Sequence, residues 1–311
     1  MWARVEEIVK AESVAWGGQA GGLRRGGATY FVLKREPPKQ QPFLVALTDL
    51  EAASCSVVVD PNAIDESGST AIDWFAPSPD GRLVAVSLSA HGTEEGTLHV
   101  FDVASGRLAD VTIPRVNGGT AGGSLAWAAD ASAFWCTRGP APGERPEEEP
   151  AFFEEIWRHT VGAPLDLDRC DQPGPLEDPR IAEHSLHASP DGRWLMDRVK
   201  GGDGGEWQVF VRPQRGGDWW QVAGLSDKCV AAVFGADALY LLSRAGAPRG
   251  QVLKLPLAAR ATVGEAQVVV AASGTVIDGL AAVARGRRRI AAAHCARRRD
   301  AVRPLQLRGA P

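Results

Sequence analysis

Apolar and polar positions alternate in short runs along this chain, and the runs end in turn residues. Between residues 72 and 90, an apolar segment leads into Ser-Pro-Asp-Gly at 78–81, and an aliphatic run follows. In such a turn the proline presets φ, the aspartate can bond its own backbone, and the glycine accepts a positive φ. The aliphatic run is apolar on both faces, which is typical of an interior strand. This segment therefore predicts a hairpin inside a buried sheet.

The same pattern returns later in the chain, and each return predicts another unit of the same architecture. A nearly identical copy occupies residues 187–196, and weaker copies occupy residues 125–135 and 232–242. The turn aspartates recur at roughly 45 to 60 residues, which is the spacing of propeller blades with four strands each. These aspartates are Asp80, Asp130, Asp191 and Asp237. The sequence thus predicts an all-β fold, a β-propeller of four-stranded blades, of which about five are visible.

Runs of β-branched and aliphatic residues between the turns supply the individual strands. The clearest predicted strands are residues 29–34, 43–47, 56–61, 97–103, 156–161 and 267–270, and the third blade is predicted to start near residues 124–127. Residues 139–150 are rich in proline and glutamate, so they are predicted to form a surface loop. Residues 201–205, Gly-Gly-Asp-Gly-Gly, are predicted to form a wide hairpin turn and not a phosphate loop, because no lysine-serine pair and no helix follow them.

The pattern divides the chain into three segments. Residues 1–25 are predicted to form a short amphipathic helix, over residues 2–10, and a glycine-rich connector. Residues 26–279 carry the propeller pattern. In residues 280–311, arginines crowd a stretch of alanine, glycine and proline with neither turn aspartates nor alternation. We interpret this tail as the product of a lost reading frame or a truncated domain, in preference to a basic arm that binds nucleic acid.

Composition is that of an ordinary soluble globular protein. The chain has 311 residues, 44% hydrophobic and 23% charged, and its 35 glycines and 21 prolines suit many short strands and turns. The net charge of -4 gives no general attraction to nucleic acid or to acidic membranes. No apolar run approaches the ~20 residues of a membrane span, and the N-terminus lacks the apolar core of a signal peptide. We therefore expect a cytoplasmic protein with neither a membrane nor a nucleic-acid partner.

The cysteines are scattered without a CxxC pair; they are Cys55, Cys136, Cys170, Cys229 and Cys295. A sparse and odd set is typical of reduced thiols in the cytosol, and zinc binding is not expected. Cys136 and Cys229 fall in apolar runs and are predicted to be small buried hydrophobes. The sequence indicates no cofactor.

Residues that could carry catalysis are present but form no recognisable set. The nearest approach to a nucleophile motif is residues 122–126, where Ser124 lacks a closing glycine and precedes a strand instead of a helix. Five of the six histidines are assigned to loops, turns and strands without a serine and carboxylate partner; they are His91, His99, His159, His184 and His187. An acidic run is predicted to be a solvated loop and not a metal site; it consists of Glu144, Glu147, Glu148, Glu149, Glu154 and Glu155. We expect no catalytic, cofactor-binding or metal-binding residue in this chain.

An ordered set of segments carries a resemblance to a known family. These segments are residues 25–32, 41–44, 59–62, 75–81, 86–89, 124–127, 159–162 and 189–192. In that order they resemble the N-terminal β-propeller of the prolyl oligopeptidase family of serine peptidases, from about residue 26 to residue 279. A lone Ser-Pro-Asp-Gly turn is common to many propellers, so the comparison depends on the whole set.

The resemblance implies a seven-bladed propeller over an α/β-hydrolase domain, whose Ser, Asp and His cleave short peptides after proline. The propeller's narrow tunnel and the seam between the domains would keep folded proteins from the nucleophile. The hydrolase domain would need a further ~250 residues. This chain is therefore expected to be the substrate-gating part, inactive alone, with that domain and short peptides as partners. Segments near Gly122 and at residues 200–203 would lie nearest the substrate cavity, although glycine and aspartate replace the aromatic and cysteine side chains expected there.

Two other functions stay open. A stand-alone propeller could be an interaction scaffold like the WD-repeat proteins, although no Gly-His and Trp-Asp pairs recur at the blade ends. A propeller enzyme could carry its site in the central channel, which requires carboxylates or metal ligands that converge from several blades. With about five blades instead of seven, the ring is expected to be incomplete or open. Its exposed sheet edge predicts poor solubility when the chain is expressed alone.

Overall fold

The computed structural model describes residues 15–16, 22–49, 55–118, 122–146, 152–202, 204–236, 238–257, 260–285, 288–297 and 300–306. Side chains are described between residues 22 and 281 within these ranges. The chain divides into two compact units, Met1–Asp171 and Gln172–Pro311. Both units consist of antiparallel sheets in which most neighbouring strands also follow one another in the sequence, as the predicted hairpins require.

The first unit has three sheets in its described residues. The first sheet consists of β1 (Ala15–Trp16), β2 (Arg24–Gly26), β3 (Thr29–Arg35), β4 (Phe43–Leu47) and β5 (Ser56–Val59). The second sheet consists of β6 (Thr70–Pro77), β7 (Leu83–Ala90), β8 (Gly96–Asp102), β9 (Arg107–Leu108) and β10 (Ile113–Asn117). The third sheet consists of β11 (Leu125–Trp127), β12 (Ala133–Arg138), β13 (Glu155–Thr160) and β14 (Arg169–Cys170). The strand orders are β1-β3-β4-β5 with β2 beside β3, β10-β8-β7-β6 with β9 beside β8, and β11-β12-β13-β14.

The second unit also has three sheets in the part that the structure describes. The fourth sheet consists of β15 (Ala182–Ala188), β16 (Trp194–Gly201), β17 (Trp207–Pro213) and β18 (Trp220–Ala223). The fifth sheet consists of β19 (Cys229–Phe234), β20 (Ala238–Ser243), β21 (Gln251–Pro256) and β22 (Gln267–Val270). The last sheet consists of β23 (Val276–Arg285), β24 (Arg288–Arg297) and β25 (Asp300–Gln306). In each of these sheets the strands lie in sequence order.

The predicted fold class is confirmed, because the first five sheets have at least four antiparallel strands each along the described residues. Their short strands are connected by turns and loops. One short α-helix, α1 (Pro61–Ile64), occurs between the first and second sheets. Its N-cap residue is Asp60, whose carboxylate accepts the Asn62 N–H.

The two Ser-Pro-Asp-Gly turns share one hydrogen-bond pattern. In the second sheet, Ser78 Oγ donates to Asp80 Oδ1 at 2.7 Å and accepts the Leu83 N–H at 3.0 Å. In the fourth sheet, the corresponding oxygens of Ser189 and Asp191 are 2.6 Å apart. Each serine hydroxyl thus joins the turn to the strand that follows it, which explains why the motif fixes a hairpin.

The weaker copies of this turn are built differently. Asp130 accepts hydrogen bonds from the backbone and the hydroxyl of Ser132, at 3.0 and 2.7 Å. Ala131 has a φ of 58°, the left-handed conformation that glycine adopts in the other two turns. The aspartate of the fourth copy, Asp237, lies outside the described residues.

Apolar side chains from successive sheets pack into shared cores. One core joins the first and second sheets through Phe31 and Phe75, and another joins the second and third through Leu98 and Phe134. In the second unit, a core around Leu241 joins the fourth and fifth sheets. An interior sheet packs against a neighbour on each face, so its strands are aliphatic on both sides. This packing accounts for the continuous apolar runs in the sequence.

A close backbone contact joins the first sheet to the second. The Gly27 N–H donates to Pro79 O at 2.7 Å. Gly81 has a φ of +74°, and a Cβ atom there would lie 2.3 Å from the carbonyl oxygen of Gly26. The contact therefore requires glycine, both for the backbone conformation and for the lack of a side chain.

The two ends of the chain differ from the sequence-based expectations. The helix predicted over residues 2–10 lies outside the described residues. Strands β1 and β2 both pair with β3, so strands of the first sheet precede the predicted start of the propeller at residue 26. Strand β23 crosses the predicted boundary at residue 279, and β24 and β25 follow it, although the sequence of residues 280–311 has neither turn aspartates nor alternation. These strands are rich in alanine, whose small side chain gives little visible alternation. Their assignment to a separate tail stays a prediction.

Candidate functional site

Ser124, the serine nearest to a nucleophile motif, lies directly before β11. Its N–H donates to Thr137 Oγ1 at 2.9 Å, and its carbonyl oxygen accepts the Thr137 N–H at 3.1 Å. The chain continues from Ser124 into a strand, whereas a nucleophile elbow needs a sharp turn into a helix. Ser124 thus extends the pairing of β11 with β12.

Two histidines occupy positions with local contacts. His91 is exposed in a turn, where its φ is 56°. His99 lies on β8, with its ring centroid 6.1 Å from that of Phe101 and its Nδ1 3.0 Å from Thr97 O. Burial lowers the pKa of His99, and the contact with Thr97 only partly opposes this effect. Among the described residues, these contacts give neither histidine the partners of a catalytic base.

His159 lies in a buried polar network that joins the second and third sheets. Its Nδ1 is 2.6 Å from Asp168 Oδ1, and its Nε2 is 3.1 Å from Asp110 Oδ2. Arg138 also binds Asp168, and the Gly162 N–H donates to Asp110 Oδ1 at 3.0 Å. The histidine and both carboxylates have almost no exposed surface. The sequence did not predict these two carboxylate partners. Because both ring nitrogens are occupied, the histidine has none left for a substrate.

His184 has a carboxylate partner as well, which the sequence did not predict. Its Nδ1 is 2.7 Å from Asp197 Oδ2, and its Nε2 is 3.1 Å from the amide nitrogen of Gln172. The side chains of His184 and Asp197 are fully buried. The Ser185 N–H donates to the other carboxylate oxygen at 3.2 Å. The Gln172 amide therefore occupies the position at His184 Nε2 where the histidine of a catalytic pair would contact a serine.

Ser185 and His187 are in contact on the fourth sheet. Ser185 Oγ is 3.0 Å from His187 Nε2, and it accepts a hydrogen bond from Arg198 Nη2 at 2.9 Å. The Asp197 carboxylate that would complete a triad contacts His184, one residue along β15. Successive side chains of a strand point to opposite faces. The serine and the carboxylate thus belong to two different histidines, and the arrangement is not a catalytic triad.

The face of the fourth sheet that carries Ser185 is the best candidate for contact with a ligand. The guanidinium carbon of Arg198 lies 4.9 Å from the ring centroid of Trp207, and Lys200 Nζ lies 6.0 Å from the same centroid. All four side chains are partly exposed. We call them, together with His187, the Arg198 face. It combines two cations, a hydroxyl and an indole, a set that suits an anion attached to an apolar group.

The two segments that were expected near a substrate cavity are only partly described. Lys200 belongs to the Arg198 face, and the hairpin after it includes Gly202, with a φ of 57°, whereas Asp203 lies outside the described residues. Gly122 forms a backbone bridge to Gly118, with both N–H···O distances at 2.8 Å. The fourth-sheet segment therefore contributes Lys200 to the Arg198 face, whereas the described contact of Gly122 is a backbone bridge within the first unit.

The described glutamates of the acidic run have separate local contacts. Glu144 accepts the Ala141 N–H at 2.6 Å, and Glu155 accepts the Trp157 indole N–H at 3.1 Å. Glu154 directly precedes β13 and is buried, so its prediction as a solvated side chain is wrong. Residues 147–149 lie outside the described part. In the ranges that the structure describes, no three His, Cys, Asp or Glu side chains are grouped to hold a metal ion.

Two further sequence-based expectations concern the burial of two cysteines and the membrane. Cys136 and Cys229 are buried as predicted, and burial raises the pKa of their thiols to about 11 and about 12. Within the described residues, no helix combines the length and the apolar character needed to cross a membrane.

The sequence is similar to known proteins. Residues 20–298 match the model of a family described as prolyl oligopeptidase, N-terminal β-propeller domain. An uncharacterized peptidase, y4qF, of Sinorhizobium fredii is 37% identical over 112 residues, which are 35% of this chain and 13% of that protein.

Solved structures share the fold at low sequence identity. A chain from a structural and mechanistic analysis of two prolyl endopeptidases gives a TM-score of 0.78 at 23% identity, covering 94% of this chain and 41% of that one. Prolyl oligopeptidase B from Galerina marginata gives 0.71 at 15% identity, covering 94% and 43%. Oligopeptidase B from Trypanosoma brucei gives 0.71 at 18% identity, covering 100% and 41%. This chain therefore spans about two fifths of the length of these solved relatives.

Proposed function

The chain belongs to the family of prolyl oligopeptidase N-terminal β-propeller domains, and we propose that it is the substrate-gating portion of a serine endopeptidase that cleaves short peptides after proline. The observation that carries the proposal is the family match over residues 20–298, which extends into both units. The Ser, Asp and His that cut the peptide would belong to an α/β-hydrolase domain, which is not among these 311 residues. That domain is the main partner in this proposal.

The polar contacts of the fourth sheet support an accessory role in place of a cleaving one. A serine peptidase needs one histidine that contacts both the nucleophile and the orienting carboxylate. Here His187 lies beside Ser185, and His184 lies beside Asp197. Since the two histidines are on opposite faces of β15, a change of rotamer would not bring them into one relay. The chemistry would thus depend on another domain.

Tightly packed sheets would give the gate its rigidity. Side chains such as Phe134, Phe210 and Leu241 have no exposed surface, and close-packed interiors resist deformation. A rigid wall around a narrow passage would admit a short peptide and hold back a folded protein. The partly exposed side chains of the Arg198 face would be among those that the peptide meets.

A cytoplasmic location is part of the same proposal. Cys55, Cys136, Cys170 and Cys229 are not joined in disulfides. Proteins with sparse, unpaired cysteines are typical of reducing compartments.

Reconstitution tests the proposal. The chain would be fused to the hydrolase domain of a prolyl oligopeptidase and compared with that hydrolase domain alone and with this chain alone. The substrates are a proline-containing chromogenic peptide and a folded protein with an exposed proline loop. We expect no turnover by this chain alone, and we expect the fusion to keep peptide cleavage while cleaving the folded protein far more slowly than the free hydrolase domain. Turnover by this chain alone, or equal cleavage of the folded protein with and without it, would overturn the proposal.

A further inference from the structure

Arg198 carries a positive charge that the described part of the chain does not neutralise. Its Nη2 donates to the neutral Ser185 hydroxyl, its guanidinium lies over the Trp207 ring, and its Nε is buried without a hydrogen-bond partner. The adjacent acid, Asp197, points to the other face of β16, where its carboxylate contacts His184. Among the described residues, no carboxylate forms an ion pair with Arg198.

A largely buried arginine without an anionic partner is energetically unfavourable, and a bound anion would reduce this cost. Burial lowers the pKa of Arg198, and Asp197 only partly opposes this effect. Cations that are largely buried normally have an acidic partner. Arg138 in the first unit follows this rule, since it is paired with Asp168. Arginine presents a planar fork of donors that matches a carboxylate. Arg198 therefore has the chemistry of a binding residue.

Its neighbours favour an anion that is part of a peptide. Lys200 lies two residues further along β16, so it is on the same face, and it shares the Trp207 ring with Arg198. Glu183 is the cross-strand neighbour of Lys200, but the two side chains form no ion pair with each other. The indole adds a flat apolar surface that a small inorganic anion would not use. Two cations next to an aromatic ring suit a carboxylate attached to an amino-acid residue.

We propose that Arg198, with Lys200 and Trp207 beside it, binds the carboxylate of a peptide, either its C-terminus or an acidic side chain. The inference rests on the proposed function, because the peptide would be a substrate that passes the propeller. Arg198 would hold the carboxylate, Lys200 would add electrostatic attraction, and Trp207 would contact the adjoining residue. These residues would select among peptides without taking part in their cleavage.

A binding experiment on the purified full chain tests the site. The probes are N-acetyl-Gly-Pro-Ala with a free C-terminal carboxylate, the same tripeptide as a C-terminal amide, N-acetyl-Gly-Pro-Glu amide, and inorganic phosphate. Affinities are measured by titration calorimetry and by the change in tryptophan fluorescence. We expect at least one of the two carboxylate peptides to bind at least ten times more tightly than the tripeptide amide, and phosphate to bind no better than that amide. Which carboxylate peptide binds identifies the source of the anion.

Substitutions separate a binding role from a structural one. Arg198→Met should reduce the affinity for the carboxylate peptide to that for the amide, while the thermal midpoint stays unchanged or rises because an unpaired charge is removed. Arg198→Lys keeps the charge without the fork and should retain part of the affinity. Arg212→Met is the matched control, because Arg212 also lies over a tryptophan of this sheet, Trp219, at 5.7 Å, and should leave peptide affinity unchanged.

Several results would overturn the inference. One is equal binding of carboxylate and amide peptides, which includes no measurable binding of either. Another is an affinity that both Arg198 variants leave unchanged, and a third is competition by phosphate at the same strength as the peptide. If Arg198→Met does not fold, Arg198→Lys decides between these results. This binding assay does not contain the hydrolase domain. A failure to bind the peptide can therefore be distinguished from a failure of the reconstituted peptidase to cleave it.

Discussion

Nδ1 of His184 and Oδ2 of Asp197 lie 2.7 Å apart, and neither side chain is exposed to solvent. The pair has the form of the base and carboxylate of a serine peptidase. However, the remaining histidine nitrogen faces the amide nitrogen of Gln172 at 3.1 Å. The pair therefore has a structural role in the fourth sheet, and its loss should lower the free energy of unfolding.

Replacing His184 should destabilise the chain strongly. His184→Phe removes the side-chain donor from the buried Asp197 carboxylate, and removing one partner of a buried carboxylate costs about 3–5 kcal/mol. We expect a loss of this size in the free energy of unfolding measured with urea. His91→Gln, in an exposed turn, should change it by less than about 0.5 kcal/mol. A loss below about 1 kcal/mol for His184→Phe would show that the pair contributes little.

Gly81 should not tolerate alanine. A Cβ atom there would lie 2.3 Å from Gly26 O, and the φ of +74° is already unfavourable for a side chain. Strain and overlap together should cost about 2–4 kcal/mol in unfolding free energy. The control is Gly92→Ala, where φ is +69° and no atom lies within 4 Å of the added Cβ, so only the strain of about 1–2 kcal/mol applies. Equal losses in the two variants would mean that the contact between the first two sheets is not close.

Asp73 should make the chain less stable as the pH rises. Burial raises the pKa of its carboxyl above the usual 3.8, although the hydroxyls of Ser87 and Ser89 donate to it at 2.7 and 2.5 Å. A carboxyl whose pKa is raised by folding stabilises the fold fully below its unfolded pKa, and this contribution is lost as the pH rises through the folded pKa. Asp73→Asn should therefore raise the thermal midpoint at pH 7, with a smaller effect at pH 4.

Asp191 provides a control of the opposite sign. Burial acts to raise the pKa of Asp191, but hydrogen bonds from Ser189 and Arg193 outweigh it, and the pKa is lowered. Its stabilising contribution is present above the unfolded pKa and is lost as the pH falls through the folded pKa. Asp191→Asn should accordingly lower the thermal midpoint at pH 7. If both asparagine variants shift the midpoint in the same direction, the assigned environments are wrong.

The cysteines should differ widely in reactivity. Burial raises the pKa of the Cys136 thiol to about 11 and that of Cys229 to about 12, whereas Cys170 is exposed. Because the thiolate is the reactive form, iodoacetamide at pH 8 should modify Cys170 first. Cys136 and Cys229 should react only after unfolding, as peptide mapping by mass spectrometry would show. Cys170→Ser should remove the early modification, and rapid labelling of Cys136 in the folded chain would contradict its burial.

Local patterns were sufficient to predict most of the sheets. The predicted strands at residues 43–47 and 267–270 coincide with β4 and β22, the strand predicted at 56–61 contains β5, and the blade predicted to start near residues 124–127 begins with β11. In each case the strand is apolar and is bounded by turn residues, so its limits depend only on nearby sequence. The alanine-rich strands near the C-terminal end of the chain lack such boundaries and were not predicted.

The polar contacts depended on tertiary structure. His159 and Asp110 are 49 residues apart and meet only because the second and third sheets pack together. The pairing of His184 with Asp197 depends on the register between β15 and β16, which the sequence does not specify. Ser185 and His187 are different, since residues two apart on one strand share a face. Period-two spacing could therefore have identified that contact beforehand.

The central claim is that the nucleophile of the peptidase lies outside this chain. A fluorophosphonate probe, which forms a covalent bond with an activated serine, tests it most directly. The purified chain would be incubated with excess probe and examined by intact mass spectrometry, with a prolyl oligopeptidase as the positive control. We predict no adduct on this chain under conditions that label the control completely. A stoichiometric adduct that is lost in Ser124→Ala or in Ser185→Ala would contradict the claim.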